Sequence, residues 1–424
     1  MIQAVAYSTL ALTVTLAVSR PRLGLKLRFS PGSAALLGVL VLFLTHLLTL
    51  GDMLTAARLQ WRPLLSLTCI MVMTGVVQEV GTFDRLAMRV ESYARATSTT
   101  RAFTLVFFVS LITPSLLNND SAILLLTPLV VALTRRLYPG RPGVTEAFVF
   151  AVFLAPGVAP LVVSNPMNMI VAEYAGIGFN SYAAVMLPIS IGGAVVTFII
   201  LRLSFRRALA TTSATPLDVV VPPAHPAEKP TLALLIIVFA AYPITAAFGG
   251  QIWMVTLGGA ILSLTLASRY RVAPLPKLLG HVSPDILVFL WGVFLVVVSL
   301  RHVGVIDRLA TLYRSVPDGS GLQIGVIGVG SALGSAIVDN HPMSILNMLA
   351  LGAHGDSRQL LAALVGGDIG PRLLPVGSLA GLLWMDLLRR ADVRISVWRF
   401  IRLGTIVLVP TLALSLFLLA HASR

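Results

Sequence analysis

Apolar stretches long enough to cross a bilayer recur along the whole chain, and no other feature restricts the fold as strongly. A spanning helix needs about 20 apolar residues. The 424 residues are 57% hydrophobic and 11% charged, a balance foreign to water-soluble domains of this length. The stretches lack the alternation of a transmembrane strand, so the sequence predicts an all-α polytopic membrane protein. They cover residues 2–18, 34–50, 64–80, 183–201, 232–248, 252–267, 286–300 and 403–420.

The basic residues predict the orientation in the membrane. A net charge of +14 would favour nucleic acid in a soluble protein, but here the charges lie in short loops between apolar stretches. When loops alternate between the two sides, 23 of the 31 Lys and Arg residues fall on one side. By the positive-inside rule this side is cytoplasmic. We therefore expect an inner-membrane protein in contact with lipid, with external termini and no nucleic-acid partner.

An internal repeat divides the chain into halves. The segment 81–87 (GTFDRLA) recurs as 304–310 (GVIDRLA), the first copy on the cytoplasmic side and the second outside. The halves are therefore predicted to be inverted. Their expected bounds are residues 1–202 for the first half, 203–230 for a cytoplasmic linker rich in Pro and Ala, and 231–424 for the second half.

Each half contains two polar interruptions of apolar sequence. The charge pattern requires the first interrupted segment to enter and leave on the cytoplasmic side, as a re-entrant hairpin with polar backbone facing protein or water. Paired interrupted helices in inverted halves indicate a secondary transporter with a site near the midplane. The expected elements are re-entrant helical hairpins at 102–134 and 321–353 and broken transmembrane helices at 146–173 and 359–388.

The interruptions carry the side chains that are candidates for binding and proton transfer. Broken helices expose unpaired backbone groups with partial charge, and Asn amides both donate and accept hydrogen bonds. A neutral polyhydroxylated substrate could bind to Asn118, Asn119, Asn165, Asn168 and Asn340. Candidates for carrying the coupling proton are Asp120, Asp339, Asp368 and His341. Asn118 and Asn119 could alternatively serve only as helix caps.

Other function classes lack their motifs. The sequence contains no GxxxxGK[ST] phosphate-binding loop, so ATP hydrolysis by that route is excluded. Cys69 is the single cysteine, which excludes an intrachain disulfide and a multi-thiolate metal site. We expect a transporter rather than an enzyme, with no cofactor and no metal centre.

Three segments resemble one transporter family. They are LLNNDSAILLLTPLV at 116–130, LVVSNPMNMIVAEYAGIGFNSYAAVMLP at 161–188 and GGDIGPRLLPVGSLAGLLWMDLL at 366–388. In these segments, and over nearly its whole length, the chain is similar to bacterial arsenite/antimonite efflux permeases of the ArsB type. These belong to an ion-transporter superfamily that also contains dicarboxylate and citrate carriers. The third segment is the most specific.

The resemblance implies extrusion of trivalent metalloids in exchange for protons, which confers arsenic resistance, optionally with a cytoplasmic ATPase subunit. Arsenite near neutral pH is largely an uncharged trihydroxide, so its carrier needs hydrogen-bonding groups more than compensating charge. The chain departs from the family pattern at 339–342 (DNHP). The positions that match the family's site are Asn118, Asn119, Asp120, Ser164, Asn165, Asn168, Asp339, Asn340, Gly377 and Ser378.

Two alternatives remain open at the level of sequence. One is a sodium-coupled dicarboxylate carrier or a sodium/proton antiporter of the same superfamily, although Arg372 is the only cation near a break. The other is a channel or scaffold subunit that serves a partner ATPase. The motion of the hairpins, elevator or rocking bundle, is also open.

Overall fold

The structure is a computed structural model that describes residues 2–23, 27–117, 119–210, 223–352 and 356–422. Helices dominate the first half, and one short antiparallel strand pair lies between the first two helices. In chain order the elements are α1 (Ile2–Ser19), β1 (Arg22–Leu23), β2 (Leu27–Arg28), α2 (Pro31–Leu44), α3 (Leu50–Glu79), α4 (Thr82–Ala96), α5 (Thr99–Leu117), α6 (Asn119–Leu137), α7 (Pro142–Leu154), a 3-10 turn (Val162–Ser164), α8 (Pro166–Ala175), α9 (Phe179–Ser204) and α10 (Arg206–Ala210).

The second half repeats this order with longer connections. Its elements are α11 (Glu228–Ala247), α12 (Ile252–Arg269), α13 (Leu275–Leu279), α14 (Pro284–Ser299), a 3-10 turn (Leu300–Val303), α15 (Val305–Tyr313), α16 (Gly321–Val338), α17 (Asn340–Leu351), α18 (Ser357–Ile369), 3-10 turns (Gly370–Arg372 and Pro375–Gly377), α19 (Leu379–Arg390) and α20 (Val397–His421).

The elements differ from the expected bounds in two places. The predicted linker 203–230 contains the short helix α10 and the start of α11, and its central residues 211–222 lie outside the described part. The apolar stretch 34–50 is not one helix, because α2 ends at Leu44 and α3 begins at Leu50. Thr49 caps α3, because its side chain accepts a hydrogen bond from the backbone N–H of Asp52. The cap starts α3 as a separate helix.

Local sequence explains many of the helix starts. Ser30, Thr49, Ser283, Ser320, and Ser396 are N-cap residues whose side chains accept a backbone N–H of the first turn. Proline occupies the first turn of α2, α7, α8 and α14, where its missing N–H costs nothing.

The sequence repeat is also a structural repeat. Gly81 and Gly304 both have positive φ, of 81° and 71°, directly before the amphipathic helices α4 and α15. Glycine adopts this left-handed conformation without a steric penalty. After each of these helices come a helix pair, a broken helix and one long final helix, α9 or α20.

The halves interlock by reciprocal contacts. Helix α2 packs on α14 and α3 packs on α12, while the final helices α9 and α20 pack on each other. The halves also contact each other near the interruptions. Helix α6 of the first pair contacts α19, and helix α17 of the second pair contacts α8. The two helix pairs α5–α6 and α16–α17 each pack arm against arm. That these pairs re-enter the membrane as hairpins stays a prediction.

Seven helical segments of the described ranges are long and apolar enough to cross a membrane. Many of their outward side chains are exposed and apolar, including Ile236 at 69% and Phe417 at 59%. A water-soluble protein would not show such extended apolar surface, whereas lipid tails cover it. The all-α membrane fold predicted from the sequence is confirmed.

Glycines allow α16 and α18 to approach each other closely. A Cβ atom on Gly366 would lie 2.8 Å from Ser331 Cβ and 2.9 Å from Ala332 N. A Cβ atom on Gly370 would lie 2.9 Å from Ala332 Cα. Small residues at such crossings let helix backbones pack tightly in a membrane. This contact fixes the end of α18, directly before the second break, against α16.

We predict that Gly366→Ala lowers the thermal stability of the purified protein. The added methyl group overpacks the α16–α18 contact, at a cost of about 1–3 kcal/mol. Gly325→Ala on α16 is the matched control, since its Cβ would meet nothing within 4 Å, and alanine is intrinsically the better helix former. Thermal unfolding in detergent measures both; equal melting temperatures for the two variants would contradict the close contact.

Candidate functional site

All four interruptions meet at one buried cavity of about 50 Å³. A single water needs roughly 10–15 Å³ measured in this way, so the cavity has room for a small polar solute. The helix-pair tips contribute Asn119 and Asn340, and Ser115 and Ser190 come from α5 and α9. The two breaks and the helix ends beside them contribute the remaining polar groups. The lining residues are Leu111, Pro114, Ser115, Asn119, Phe153, Pro156, Gly157, Val158, Ala159, Pro160, Ser164, Asn165, Ser190, Asn340, Asp368, Pro371, Arg372 and Ser378.

Asp368, near the end of α18, is held by the break in the other half. Its Oδ2 accepts a hydrogen bond from Ala159 N at 2.9 Å and from Asn168 Nδ2 at 3.2 Å. Its Oδ1 accepts from Asn165 Nδ2 at 2.9 Å. These donors are uncharged, so the carboxylate gains three hydrogen bonds without forming an ion pair with them. The contacts join the two halves at the cavity.

Local structure orients the two asparagines that bind Asp368. Asn165 is the N-cap of α8, and its Oδ1 accepts from Met167 N at 3.0 Å, which turns its amide nitrogen toward Asp368. Asn168 lies one turn later and also donates to the Tyr182 hydroxyl at 2.6 Å. Tyr182 in turn donates to Ala159 O at 3.0 Å. A closed ring of hydrogen bonds therefore shapes the first break.

Arg372 binds the opposite end of the same break. Its Nη2 donates to Leu154 O at 2.6 Å and to Pro156 O at 3.2 Å, and its Nη1 lies 3.4 Å from Thr197 Oγ1. These carbonyls lie at the C-terminal end of α7, where no helical N–H can reach them. A buried cation at a helix C-terminus also interacts favourably with the helix dipole.

Two glycines make room for Arg372, which is only 2% exposed. A Cβ atom on Gly157 would lie 2.9 Å from Arg372 Nη2, and one on Gly404 of α20 would collide with Arg372 O. The close packing fixes both the backbone and the guanidinium. Asp368 and Arg372 lie within a single turn of the second broken helix. Together they therefore hold the two sides of the break in the first.

Three side-chain oxygens of the lining residues have no hydrogen-bond partner within the described part of the chain. They are Asn119 Oδ1, Ser164 Oγ and Asn340 Oδ1, all of them buried. They come from the first tip, the first break and the second tip. Buried polar atoms are usually satisfied by protein, water or ligand. Three converging oxygens can accept hydrogen bonds from a solute with several hydroxyl groups.

The second tip has unusual backbone geometry. Asp339 has φ of 78°, a left-handed conformation that is costly for a residue with a side chain. Its Oδ1 accepts from His341 N at 2.9 Å and lies 2.8 Å from His341 Nδ1. Asp339 therefore caps α17 and forms a buried pair with His341, whose ring packs against Phe289. Neither side chain lines the cavity.

The predicted site residues other than Asp339 and His341 fall into three groups. Asn168 contacts Asp368 from outside the cavity lining, and Gly377 packs against Ala336 and Pro371. Asn118 and the side chain of Asp120 lie outside the described part of the chain. The residues that line the cavity are Asn119, Ser164, Asn165, Asn340, Asp368 and Ser378.

Sequence reasoning missed two contributors to the site, Tyr182 and Ser190, and the partners of a third, Arg372. Arg372 was recognised as a membrane-embedded charge, a usual sign of function, but its partners in α7 were not predictable. Tyr182 and Ser190 lie in the apolar helix α9 and carry no motif. Among the described residues no cluster of three or more His, Cys, Asp or Glu side chains is placed to hold a metal ion.

A second, open cavity of about 980 Å³ lies between α3, α4 and α6. Its wall includes Gln78, Asp84, Leu124 and Arg136. Ser121, two residues after the Asn119 tip, also lines it. This vestibule therefore extends toward the first tip from the side that carries the basic loops.

Two halves with the same order of elements, interrupted around one buried polar cavity, define a multi-pass membrane transporter. The family model for the arsenical pump membrane protein, ArsB, matches residues 5–421. The chain belongs to this family.

Sequence relatives agree with that assignment. The chain is 29% identical to the arsenical pump membrane protein of Escherichia coli strain K12, with 96% of each chain covered. It is 28% identical to the protein of the same name from Yersinia enterocolitica, with 97% of each covered. An uncharacterized transporter of Mycobacterium tuberculosis is 27% identical over 84% of this chain and 85% of its own.

Two solved structures share the fold. The YdaH transporter of Alcanivorax borkumensis, described as having an unusual topology, superposes with a TM-score of 0.58 at 17% identity, covering 99% of this chain and 96% of its own. MtrF of Neisseria gonorrhoeae, from a class of antimetabolite efflux pumps, superposes with a TM-score of 0.52 at 12% identity, covering 99% of this chain and 94% of its own. At these identities the likeness concerns the fold alone.

We predict that Arg372→Gln destabilises the protein. The shorter neutral side chain cannot bond both Leu154 O and Pro156 O, and hydrogen bonds to a charged donor contribute about 1.5–3 kcal/mol each. Arg314→Gln, an exposed position on the other face, is the control and should change stability by less than about 0.5 kcal/mol. The melting temperatures of the two variants are compared by thermal unfolding. If Arg372→Gln were as stable as the control, the role of Arg372 in holding the end of α7 would be contradicted.

Proposed function

We propose that this protein exports trivalent metalloids, arsenite and antimonite, as neutral trihydroxides across the inner membrane in exchange for protons, and so confers arsenical resistance. The observation that carries the proposal is the set of unpaired oxygens Asn119 Oδ1, Ser164 Oγ and Asn340 Oδ1 around one small cavity. A trihydroxide offers three O–H donors. Membership in the arsenical pump family supports the same substrate class.

The charges at the cavity favour a neutral solute. Among the described lining residues, the ionisable ones are Asp368 and Arg372, of opposite sign. Arg372 directs two of its five N–H donors at backbone carbonyls, and its buried Nε has no hydrogen-bond partner within the described residues. A dicarboxylate would also approach the Asp368 carboxylate, and like charges in a low-dielectric site repel strongly. This supports a neutral trihydroxide over the sodium-coupled dicarboxylate alternative.

Asp368 is the best-placed proton carrier. Its three hydrogen bonds come from groups of the first break that also shape the cavity. Loss of the charge on protonation would weaken these bonds and loosen the contact between halves. Proton binding and the geometry of the metalloid site are thereby coupled. Asp339 and His341 are less suited, because they bond to each other away from the cavity; Asp120 remains a candidate from the sequence.

Other partners stay at the level of proposals. A cytoplasmic ATPase subunit would have to dock on the basic side, where the vestibule opens. The channel alternative requires that the chain itself lack a transport cycle. Saturable counterflow of arsenite in proteoliposomes containing this chain alone would exclude it.

We predict that Asn119→Ala, Ser164→Ala and Asn340→Ala each reduce arsenite uptake into everted membrane vesicles about tenfold. Each removes one of three acceptors for the substrate hydroxyl groups, and losing a hydrogen bond of roughly 1–1.5 kcal/mol corresponds to about tenfold. The control is Asn180→Ala, whose amide bonds Pro243 O at an exposed position. Wild-type rates in all three cavity variants, at equal protein levels, would remove these residues from the site.

We predict that Asp368→Asn separates exchange from proton coupling. An amide cannot release a proton, so the variant should catalyse arsenite counterflow without accumulating arsenite when a proton gradient is imposed. Asp339→Asn, which changes the buried pair outside the cavity, should keep gradient-driven accumulation. Both are measured in proteoliposomes with and without a pH gradient. Gradient-driven transport by Asp368→Asn, or its loss only in Asp339→Asn, would assign coupling to another group.

A further inference from the structure

The two halves differ in the packing between the helix pair and the amphipathic helix, α4 in the first half and α15 in the second. In the first half the vestibule lies between α3, α4 and α6, and Leu124 on its wall is 44% exposed. In the second half α17, the helix equivalent to α6, packs against both α14 and α15. Ile345, the residue equivalent to Leu124 when α6 and α17 are aligned at their first residues, is 0% exposed. One side of the protein is therefore open and the other closed.

A buried chain of hydrogen bonds joins the helices on the closed side. The Tyr313 hydroxyl at the end of α15 donates to Asn347 Oδ1 on α17 at 2.5 Å. Asn347 Nδ2 donates to Ser331 Oγ on α16 at 2.8 Å, and Ser331 donates to Ala363 O on α18 at 2.6 Å. All three side chains are at most 1% exposed. The chain thus links the amphipathic helix, both arms of the helix pair and the broken helix.

The first half contains the same positions without the chain. Tyr313 lies nine residues after Gly304, and Val90 lies nine after Gly81. Asn347 lies seven residues after the start of α17, and Leu126 lies seven after the start of α6. Ser331 is equivalent to Ser110, since each lies seven residues before the end of its arm. Neither Val90 nor Leu126 can form a hydrogen bond through its side chain.

The structural surroundings support this equivalence. Val90, Ser110 and Leu126 line one small cavity of about 10 Å³ between α4, α5 and α6. Ser110 Oγ is buried there and has no hydrogen-bond partner within the described residues. In the second half the equivalent Ser331 accepts a hydrogen bond from Asn347 and donates one to Ala363 O. The open side is therefore the side that lacks the tyrosine and the asparagine.

From this difference we infer that Tyr313, Asn347 and Ser331 form a latch that closes the second-half side of the carrier and biases the protein toward the state open on the first-half side. The inference rests on the proposed transport function, because alternating access requires the closed side to open. Opening must separate α15 from α17, and the Tyr313–Asn347 bond is a buried polar contact between them. The latch residues do not line the substrate cavity, so they act on the conformational equilibrium.

Cysteine labelling of the full-length protein tests this inference. The single native cysteine is buried and is replaced in a Cys69→Ala background. Ile345→Cys reports opening of the second-half side, and Leu124→Cys reports opening of the vestibule. Each reporter is labelled with a maleimide in detergent, where both faces are accessible. We expect Tyr313→Phe to raise the labelling rate of Ile345→Cys about 2- to 10-fold, the effect of one buried hydrogen bond, and to lower that of Leu124→Cys.

Further variants separate the latch from general loosening. Asn347→Leu copies the first-half residue and should shift both rates as Tyr313→Phe does. Val90→Tyr combined with Leu126→Asn places a matching chain beside Ser110 and should lower labelling of Leu124→Cys. Tyr242→Phe, a buried tyrosine of α11 that is 3% exposed, is the control and should change neither rate. Unchanged rates in Tyr313→Phe and Asn347→Leu, or a rise at both reporters, would overturn the latch.

Labelling needs no substrate, so the two proposals fail separately. Reciprocal labelling changes without arsenite transport would contradict the proposed function and keep the latch. Normal arsenite transport with unchanged labelling in both latch variants would contradict the latch alone.

Discussion

A broken helix in a membrane depends on what satisfies its free ends. In this protein one turn of the second half contributes to this for the first: Asp368 accepts from the backbone Ala159 N inside the break and from the side chain of Asn165, which caps α8, and Arg372 binds carbonyls at the end of α7. Unpaired backbone groups cost several kcal/mol each in hydrocarbon, so the break could not persist without such partners. The same side chains form the wall of the cavity. The stability of the fold and the geometry of the site therefore depend on one set of contacts.

Much of this arrangement could be predicted from the sequence. Runs of Asn, Asp, Pro and Gly marked the interruptions, and the repeated Gly-containing segment paired the halves. The first broken helix was predicted at 146–173, and its break lies between Leu154 and Pro166. Pro156 and Pro160 contribute to the length of the break, because proline cannot continue the helical hydrogen bonding of α7.

The remainder depends on contacts distant in sequence. Arg372 and Leu154 are 218 residues apart, and no local pattern links them. Tyr182 and Ser190 lie in the apolar helix α9, where their residue types do not distinguish a site from packing. The latch is a further example, since Tyr313 and Asn347 are ordinary residues of two helices until the structure brings them together. The repeat alone also gives no reason for one half to be open and the other closed.

The central claim is that the cavity between the four interruptions binds a neutral metalloid hydroxide. A cryo-electron microscopy structure of the protein with antimonite tests it most directly, because antimony scatters strongly enough to be located. The account predicts antimony density within hydrogen-bonding reach of Asn119, Ser164 and Asn340. Density confined to the vestibule between α3, α4 and α6, with the cavity empty at saturating antimonite, would contradict it.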